Sequence, residues 1–153
     1  MKARVDYGSV APEAVKAMLG LDASVRKSGL EKPLLELVRL RASQINGCAY
    51  CIDMHSKDAR AAGETEQRLY GLNAWRETPY YTDRERAALE WTEAITLITQ
   101  GHAPGDVYDR VRSHFSEKEV VDLTCAVAAI NVWNRIAIAF RVVPGTYQPA
   151  ARR

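Results

Sequence analysis

Two cysteines and a histidine stand at spacings that place reactive side chains on one face of a helix. Cys48 and Cys51 are three residues apart, and His55 follows Cys51 by four residues. In a helix, residues three or four apart lie about one turn apart on the same face. The two thiols are therefore expected to be neighbours, with the imidazole one turn beyond Cys51. Such a pair can close a disulfide and be reduced again, which is the basis of thiol redox chemistry.

The dipeptide Asn46-Gly47 just before the cysteines indicates a break between two helices. Both residue types tolerate the left-handed conformation that commonly ends a helix. A second helix then begins near Cys48, and the partial positive charge at its N-terminus stabilises a thiolate. Such settings lower the pKa of a cysteine from about 8.5 to roughly 3.5–7.5. The sequence thus predicts an activated thiol at the start of this helix.

Glu36 is the acidic residue best placed to complete this set. It lies between two leucines, and burial on an apolar stripe is expected to raise the pKa of its carboxyl. On one straight helix it would be about 18 Å from the first cysteine. With a chain reversal at Asn46-Gly47, Glu36 and His55 lie about 15 Å and about 13 Å from the break, at matching depth. This predicts a proton relay of Glu36, His55 and Cys51.

The elements that must position these residues are helices. Apolar residues recur at three- and four-residue spacing, and capping-box sequences begin at Thr82 and Ser116. No linker or repeat divides the chain, so the sequence predicts an all-α fold, a single domain over 1–153 with six or seven helices. The predicted helices span about 12–19, 31–46, 48–62, 66–75, 82–99, 107–114 and 116–141.

Composition excludes several classes of function. The net charge is +2 with no long basic run, so nucleic-acid binding by charge alone is not expected. Three cysteines do not make a secreted disulfide framework, and the first residues lack the apolar run of a signal peptide. The apolar stretch 120–143 contains Asp122, Asn131 and Arg135, so it is expected to be a core or interface helix that does not cross a membrane. The prediction is a protein of the reducing cytoplasm.

Other polar and aromatic residues are expected to be structural. Cys125 is predicted to be a packed core thiol. Arg39 and Arg60 are predicted to lie on a solvated face, with a place at the mouth of a substrate site as the alternative for either. Buried polar groups need partners, so interhelical or intersubunit hydrogen bonds are expected for Asn131, Asn134 and Arg135. The aromatic residues expected in the core or in subunit contacts are Trp75, Tyr80, Tyr81, Trp91 and Trp133.

The four candidate residues resemble, in type and spacing, the signature of alkylhydroperoxidase D (AhpD)-like proteins. The pattern is Glu36, eleven residues, Cys48, two residues, Cys51, three residues and His55. AhpD-like proteins belong to the carboxymuconolactone decarboxylase superfamily. The segment 46–60 resembles the core segment of the family, and the similarity covers about residues 30–142. The resemblance implies an all-α fold that assembles as trimers or hexamers. It also implies a peroxidase of antioxidant defence that reduces hydroperoxides without a metal or an organic cofactor.

The resemblance also implies a role for each site residue. Cys51 would attack the hydroperoxide and become a sulfenic acid, and Cys48, expected to be the more exposed thiol, would condense with it to form a disulfide. His55 and Glu36 would move protons. A dithiol reductant, such as a lipoyl domain or a thioredoxin-like protein, would restore the thiols. Tyr50 stands where the best-known peroxidase of the family has a histidine, a departure from the pattern.

Three other functions remain open from the sequence. The decarboxylase branch of the superfamily does not depend on a redox cysteine pair, so the motif argues against it. A redox sensor or helical assembly protein would use the same cysteines without catalytic turnover. A zinc site would take Cys48, Cys51 and His55 as ligands with Glu36 as the fourth.

Overall fold

The computed structural model describes residues 2–149, and every regular element in that range is helical. Six of these helices have seven residues or more, so the predicted all-α domain is confirmed for the described residues. Met1 and residues 150–153 of the predicted domain lie outside them. The α-helices are α1 Tyr7–Val10, α2 Pro12–Arg26, α3 Lys32–Asn46, α4 Ala49–Ala61, α5 Glu66–Tyr70, α6 Asp83–Thr96, α7 Gly105–Arg112 and α8 Glu117–Ala139. Two 3-10 helices cover Leu72–Glu77 and Ile98–Gln100.

The predicted break between α3 and α4 is confirmed. α3 has Pro33 in its first turn, where the missing N–H leaves no hydrogen bond unmade. It ends at Asn46, and its C-cap Gly47 adopts the left-handed conformation with φ 68°. Cys48 follows immediately as the N-cap of α4. One left-handed residue therefore turns the chain from the helix of Glu36 into the helix of Cys51.

Helix boundaries elsewhere differ from the prediction in places. The capping boxes at Thr82 and Ser116 are both formed and begin α6 and α8. The helix predicted over 66–75 is divided at Gly71 into α5 and a 3-10 helix. A Cβ at Gly71 would lie 3.4 Å from the ring of Tyr80, so glycine permits this close packing. The short helix α1 was not predicted, and α2 continues to Arg26.

α3 lies at the centre of the bundle, where it packs against α4, α6 and α8. Its residues Leu37, Val38 and Ala42 are completely buried. Burial of a leucine or valine side chain contributes roughly 1.5–3 kcal/mol relative to its exposed state. The central helix is thus anchored on several sides, which gives Glu36 a rigid support.

α8 is the one helix of the described chain that is long and apolar enough to span a membrane. Two of its polar side chains, those of Asn131 and Asn134, are however buried and bonded inside the bundle. Asn46 Nδ2 donates hydrogen bonds to Oδ1 of Asn131 and of Asn134 over 2.9 Å and 2.8 Å, and Asn134 Nδ2 donates to Ser43 Oγ over 3.1 Å. The predicted interhelical hydrogen bonds of the two asparagines are confirmed, and α8 is a core helix of this bundle.

The aromatic residues and the third cysteine pack largely as predicted. Trp75, Tyr81 and Trp91 are buried in the core, and Cys125 packs against the core as a half-buried thiol. Arg135 donates to the backbone oxygen and to Oδ1 of Asn131 within α8, and the intersubunit bond that was the alternative for it stays a prediction. Trp133 is half-buried and packs against the cluster that contains Ala42 and Ile130.

Candidate active site

Cys48 and Cys51 are joined by a disulfide at the start of α4, with their Cα atoms 5.3 Å apart. The Sγ atom of Cys48 also accepts a hydrogen bond from the backbone N–H of Cys51 at 3.3 Å. The two residues are 1% and 2% exposed, respectively. The expectation that Cys48 is the more exposed thiol is therefore wrong. As the N-cap it turns its sulfur back towards the backbone of α4, and it packs in a cluster with Ala42 and Ile130.

Glu36 and His55 meet across the contact between α3 and α4. The distance from His55 Nδ1 to Glu36 Oε2 is 2.8 Å, and both side chains are largely buried. The predicted contact between these two residues is confirmed. A carboxylate can only accept, so Nδ1 of the imidazole is the nitrogen that carries the hydrogen. In a neutral imidazole with this tautomer, the lone pair is on the other nitrogen, Nε2.

The pKa of Glu36 differs from the prediction. Burial raises it, but the hydrogen bond from His55 and the nearby Arg39 guanidinium outweigh burial and hold the pKa below its usual value of 4.5. The burial predicted from the sequence is correct, but the predicted pKa did not include the effect of these two partners. Glu36 is consequently ionised at neutral pH, where it orients the imidazole.

Arg39 takes part in the site, so the solvated face predicted for it is wrong and the alternative, a place beside the cavity, agrees with its contacts. Its side chain is 11% exposed, and Nη1 donates to Glu36 Oε1 over 2.7 Å. Nη2 lies 4.0 Å from Oδ1 of Asp22, whose Oδ2 accepts a hydrogen bond from Trp133 Nε1 over 2.6 Å. A continuous polar chain thus runs from α8 through α2 and α3 to His55 in α4. The spacing of Arg39, three residues after Glu36, is the sequence signal for this contact.

A cavity of about 410 Å³ opens beside these residues. Cys51 lines it, whereas Cys48 does not. Three tyrosines contribute to its walls: Tyr7, Tyr50 and Tyr147. The apolar part of the wall comprises Leu19, Met54, Ile130, Trp133 and Ala137, and the polar part comprises Asp22, Arg26, Glu36, Arg39, His55 and Asp58. The cavity therefore joins a sulfur atom, an acid–base pair and an apolar surface.

Residues 12–94 match the sequence model of the carboxymuconolactone decarboxylase family. The chain belongs to this family. It is 48% identical over 139 residues to the uncharacterized protein YdfG of Bacillus subtilis, a match that covers 91% of this chain and 95% of that protein.

Solved structures identify the branch of the family. A protein of unknown function from Agrobacterium tumefaciens, provisionally named as the antioxidant defence protein AhpD, has a TM-score of 0.92 and 46% identity. The match covers 95% of this chain and all of that one. The debrominase Bmp8 shares the fold with a TM-score of 0.80 at 19% identity, over 90% of this chain and 74% of that one. The present chain is an AhpD-like member of the family.

In this AhpD-like protein, Glu36, His55 and Asp58 also form the one group of three potential metal ligands found in the described residues. Their ligand atoms lie within 4.8 Å of one another. Glu36 is already bonded to Arg39, and Asp58 Oδ1 accepts a hydrogen bond from Tyr147. The zinc set considered from the sequence differs, because it requires both cysteines as thiolates.

The sequence did not identify Asp22, Asp58, Trp133 or Tyr147 as residues of the site. Asp58 follows His55 by three residues on the same helix face, which is a usable signal. The other three come from distant parts of the chain, and only tertiary packing brings them to the cavity.

Proposed function

We propose that this AhpD-like protein reduces organic hydroperoxides, with Cys51 as the attacking thiol, and serves antioxidant defence in the cytoplasm. The observation that carries the proposal is the position of Cys51. It lines the cavity together with the bonded pair His55 and Glu36, and it is already joined to Cys48 in a disulfide.

The reaction consumes two thiols and one hydroperoxide. The thiolate of reduced Cys51 attacks the outer oxygen of ROOH, an S–O bond forms, the O–O bond breaks and the alkoxide takes a proton to leave as ROH. The thiol of Cys48 then attacks the sulfenic acid of Cys51, so that an S–S bond forms and water leaves. The product is the disulfide seen in this structure, and a dithiol reductant restores both thiols.

His55 is the proton carrier of this scheme. Its Nδ1 is bonded to Glu36, which leaves Nε2 as the atom that would take the thiol proton and return it to the alkoxide. Glu36 is ionised and stabilises the imidazolium formed between these steps. The N-terminus of α4 further stabilises the thiolate of Cys51, which is the third residue of that helix.

The cavity favours an organic hydroperoxide as the substrate. Small-molecule sites measure roughly 300–1,000 Å³ and combine an apolar wall with a few polar groups. The present cavity falls in this range. Residues such as Met54, Ile130 and Trp133 would contact the alkyl or aryl group, while the peroxide oxygens lie near Cys51 and His55.

The partners of the protein are also proposals. A lipoyl domain or a thioredoxin-like protein would supply the dithiol, and the chain would assemble as a trimer or hexamer. Exposed apolar side chains on α8, among them Val121, Val132 and Ile138, support self-association because they would be covered in an oligomer.

A count of free thiols tests the proposal. Pre-reduced protein is treated with one equivalent of cumene hydroperoxide, denatured, and titrated with a thiol reagent. We expect the count to fall from three to one within the assay, and to remain near three in the His55→Ala variant. Turnover is then followed as peroxide loss in the presence of a dithiol.

Two of the alternative functions, the redox sensor and the zinc site, give different results. A disulfide that forms once, with no turnover by any dithiol, would indicate a redox sensor. Three surviving thiols would overturn the peroxidase, and zinc retained through dialysis of the reduced protein would then indicate a metal site.

A further inference from the structure

The chain after α8 returns to the active site as a strap, residues 142–149, which lies along α4. Lys57 Nζ donates hydrogen bonds to the carbonyl oxygens of Gly145 and Tyr147 over 3.3 Å and 3.1 Å. The N–H of Gly145 donates to Asp53 Oδ2 over 3.1 Å. Lys57 and Asp53 are themselves paired at 2.9 Å. The strap is therefore fixed to the same helix that contains Cys51 and His55.

The side chain of Tyr147 is the part of the strap that reaches the cavity. Its ring lines the cavity, and its hydroxyl donates to Asp58 Oδ1 over 2.7 Å. Burial first, and then the bond to Asp58, raise the pKa of this phenol, so it stays a neutral hydrogen-bond donor. Asp58 has a carboxylate oxygen within 4.8 Å of the ligand atoms of Glu36 and His55. Tyr147 thus stands on the polar side of the cavity, close to the acid–base pair.

We propose that Tyr147 is a specificity-determining residue, whose ring limits the bulk of the molecule that can reach Cys51. The part of this inference that concerns hydroperoxides rests on the proposed function. The part that concerns access to the Cys48–Cys51 disulfide holds whether or not the protein is a peroxidase.

The attachment of the strap supports this role. Most of the other residues of the cavity wall belong to helices that also contribute residues to the core. The shape of that part of the cavity is therefore determined by helix packing in the bundle. Tyr147 is instead held by polar contacts of one segment with one helix. Its ring can be removed without loss of a core residue, and the space it leaves adds to the cavity.

The first test compares a bulky and a small hydroperoxide. The ratio of kcat/KM for cumene hydroperoxide to kcat/KM for hydrogen peroxide is measured for the wild type, Tyr147→Ala and Tyr147→Phe. We expect the ratio to rise about tenfold in Tyr147→Ala, as a pocket change of this kind allows. Tyr147→Phe keeps the ring, so its ratio should stay close to that of the wild type.

A matched control is Tyr80→Ala. Tyr80 is also a half-buried tyrosine with a hydrogen-bonded phenol, to Gln67, but it is not part of the cavity wall. Its variant should leave the ratio unchanged. Should Tyr147→Ala fail to fold by circular dichroism, Tyr147→Leu takes its place, since it also removes the ring.

A second test does not require peroxidase activity. The oxidised protein is reduced with dithiothreitol or with the bulkier tris(2-carboxyethyl)phosphine, and thiol release is timed. Tyr147→Ala should accelerate the phosphine reaction more than the dithiothreitol reaction. An inactive wild type would refute the proposed peroxidase and leave this test valid. Unchanged ratios in a folded Tyr147→Ala variant would overturn the role of Tyr147.

Discussion

The side-chain amide of Asn46 donates a hydrogen bond to Asn134 Oδ1 over 2.8 Å. Asn46 is the last residue of α3, and Asn134 is completely buried in α8. This bond, with the parallel one to Asn131 at 2.9 Å, fixes the point where the chain turns towards Cys48. The geometry of the Glu36–His55 contact depends on that turn, because each residue lies on one of the two helices that it joins.

The Asn46→Ala variant should therefore be less stable. The Oδ1 atom of Asn134, a completely buried residue, would lose its donor, and an unsatisfied buried polar group costs about 1–3 kcal/mol. Urea unfolding of the oxidised protein measures the change. Asn73→Ala, at an exposed asparagine, is the control and should change little. Equal free energies of unfolding for the two variants would contradict the account given of α8.

Serine variants of the cysteines should separate the two thiols by function. Cys48→Ser should still form a sulfenic acid at Cys51, because the attacking sulfur and its cavity remain. Cys51→Ser should form none. Trapping with dimedone followed by mass spectrometry identifies the modified residue, and Cys125→Ser serves as a control with full activity. A dimedone adduct on Cys48 in the Cys51→Ser protein would reverse the proposed order of attack.

Removal of the charge of Glu36 should slow the peroxide reaction. In Glu36→Gln the amide oxygen can still accept the hydrogen bond from His55, but no carboxylate stabilises the imidazolium. General acid–base catalysis typically contributes 10²–10⁴-fold, and we expect a loss of about 100-fold in kcat/KM. The rate of the first reaction with cumene hydroperoxide, measured by stopped flow, gives the answer. A Glu36→Gln rate equal to the wild-type rate would restrict Glu36 to a structural role.

Glu36 should also make the stability of the oxidised protein depend on pH. Its folded-state pKa is below the usual 4.5, so the unfolded chain takes up the proton first as the pH falls. The stabilisation by Glu36 is then complete above about pH 4.5 and is lost as the pH falls through the lower folded-state value.

The matching measurement is the difference in free energy of unfolding between the wild type and Glu36→Gln, taken across this pH range. At neutral pH we expect a difference of about 2 kcal/mol, as for hydrogen bonds to charged groups, and a smaller one in acid. Glu13→Gln is the control, because the Glu13 side chain is 87% exposed and should give no such trend. A difference that is constant with pH would show that the ionised form of Glu36 is not favoured in the folded state.

The contact between Glu36 and His55 could be predicted because it depends on local rules. Helical periodicity determines which face of each helix the two side chains occupy, and a glycine determines where the first helix ends. Because Glu36 and His55 are at similar distances from that break, they meet when the chain reverses. The capping boxes at Thr82 and Ser116 are similarly local, since each is defined within four residues. These parts of the fold can therefore be predicted from short segments of the sequence.

Other features depend on packing between distant elements. Cys48 is buried because α8 packs against the start of α4. The pKa of Glu36 is lowered by the hydrogen bond from His55 and further by Arg39, whose side chain could point either to solvent or to the site as far as the sequence shows. Tyr147 reaches the cavity only because the chain turns back after α8, and no periodicity in a segment without regular structure indicates this.

The hydrogen bond from the Cys51 N–H to Cys48 Sγ affects how any variant of Cys48 is interpreted. The same sulfur atom takes part in the reaction and caps the helix α4. Cys48→Ala would remove both functions at once, so a loss of reactivity could not be separated from fraying of the first turn of α4. Loss of an N-cap typically costs about 1 kcal/mol, enough to disturb the first turn, where Cys51 lies. Serine is a good N-cap whose oxygen accepts the same bond, and it therefore isolates the contribution of the sulfur.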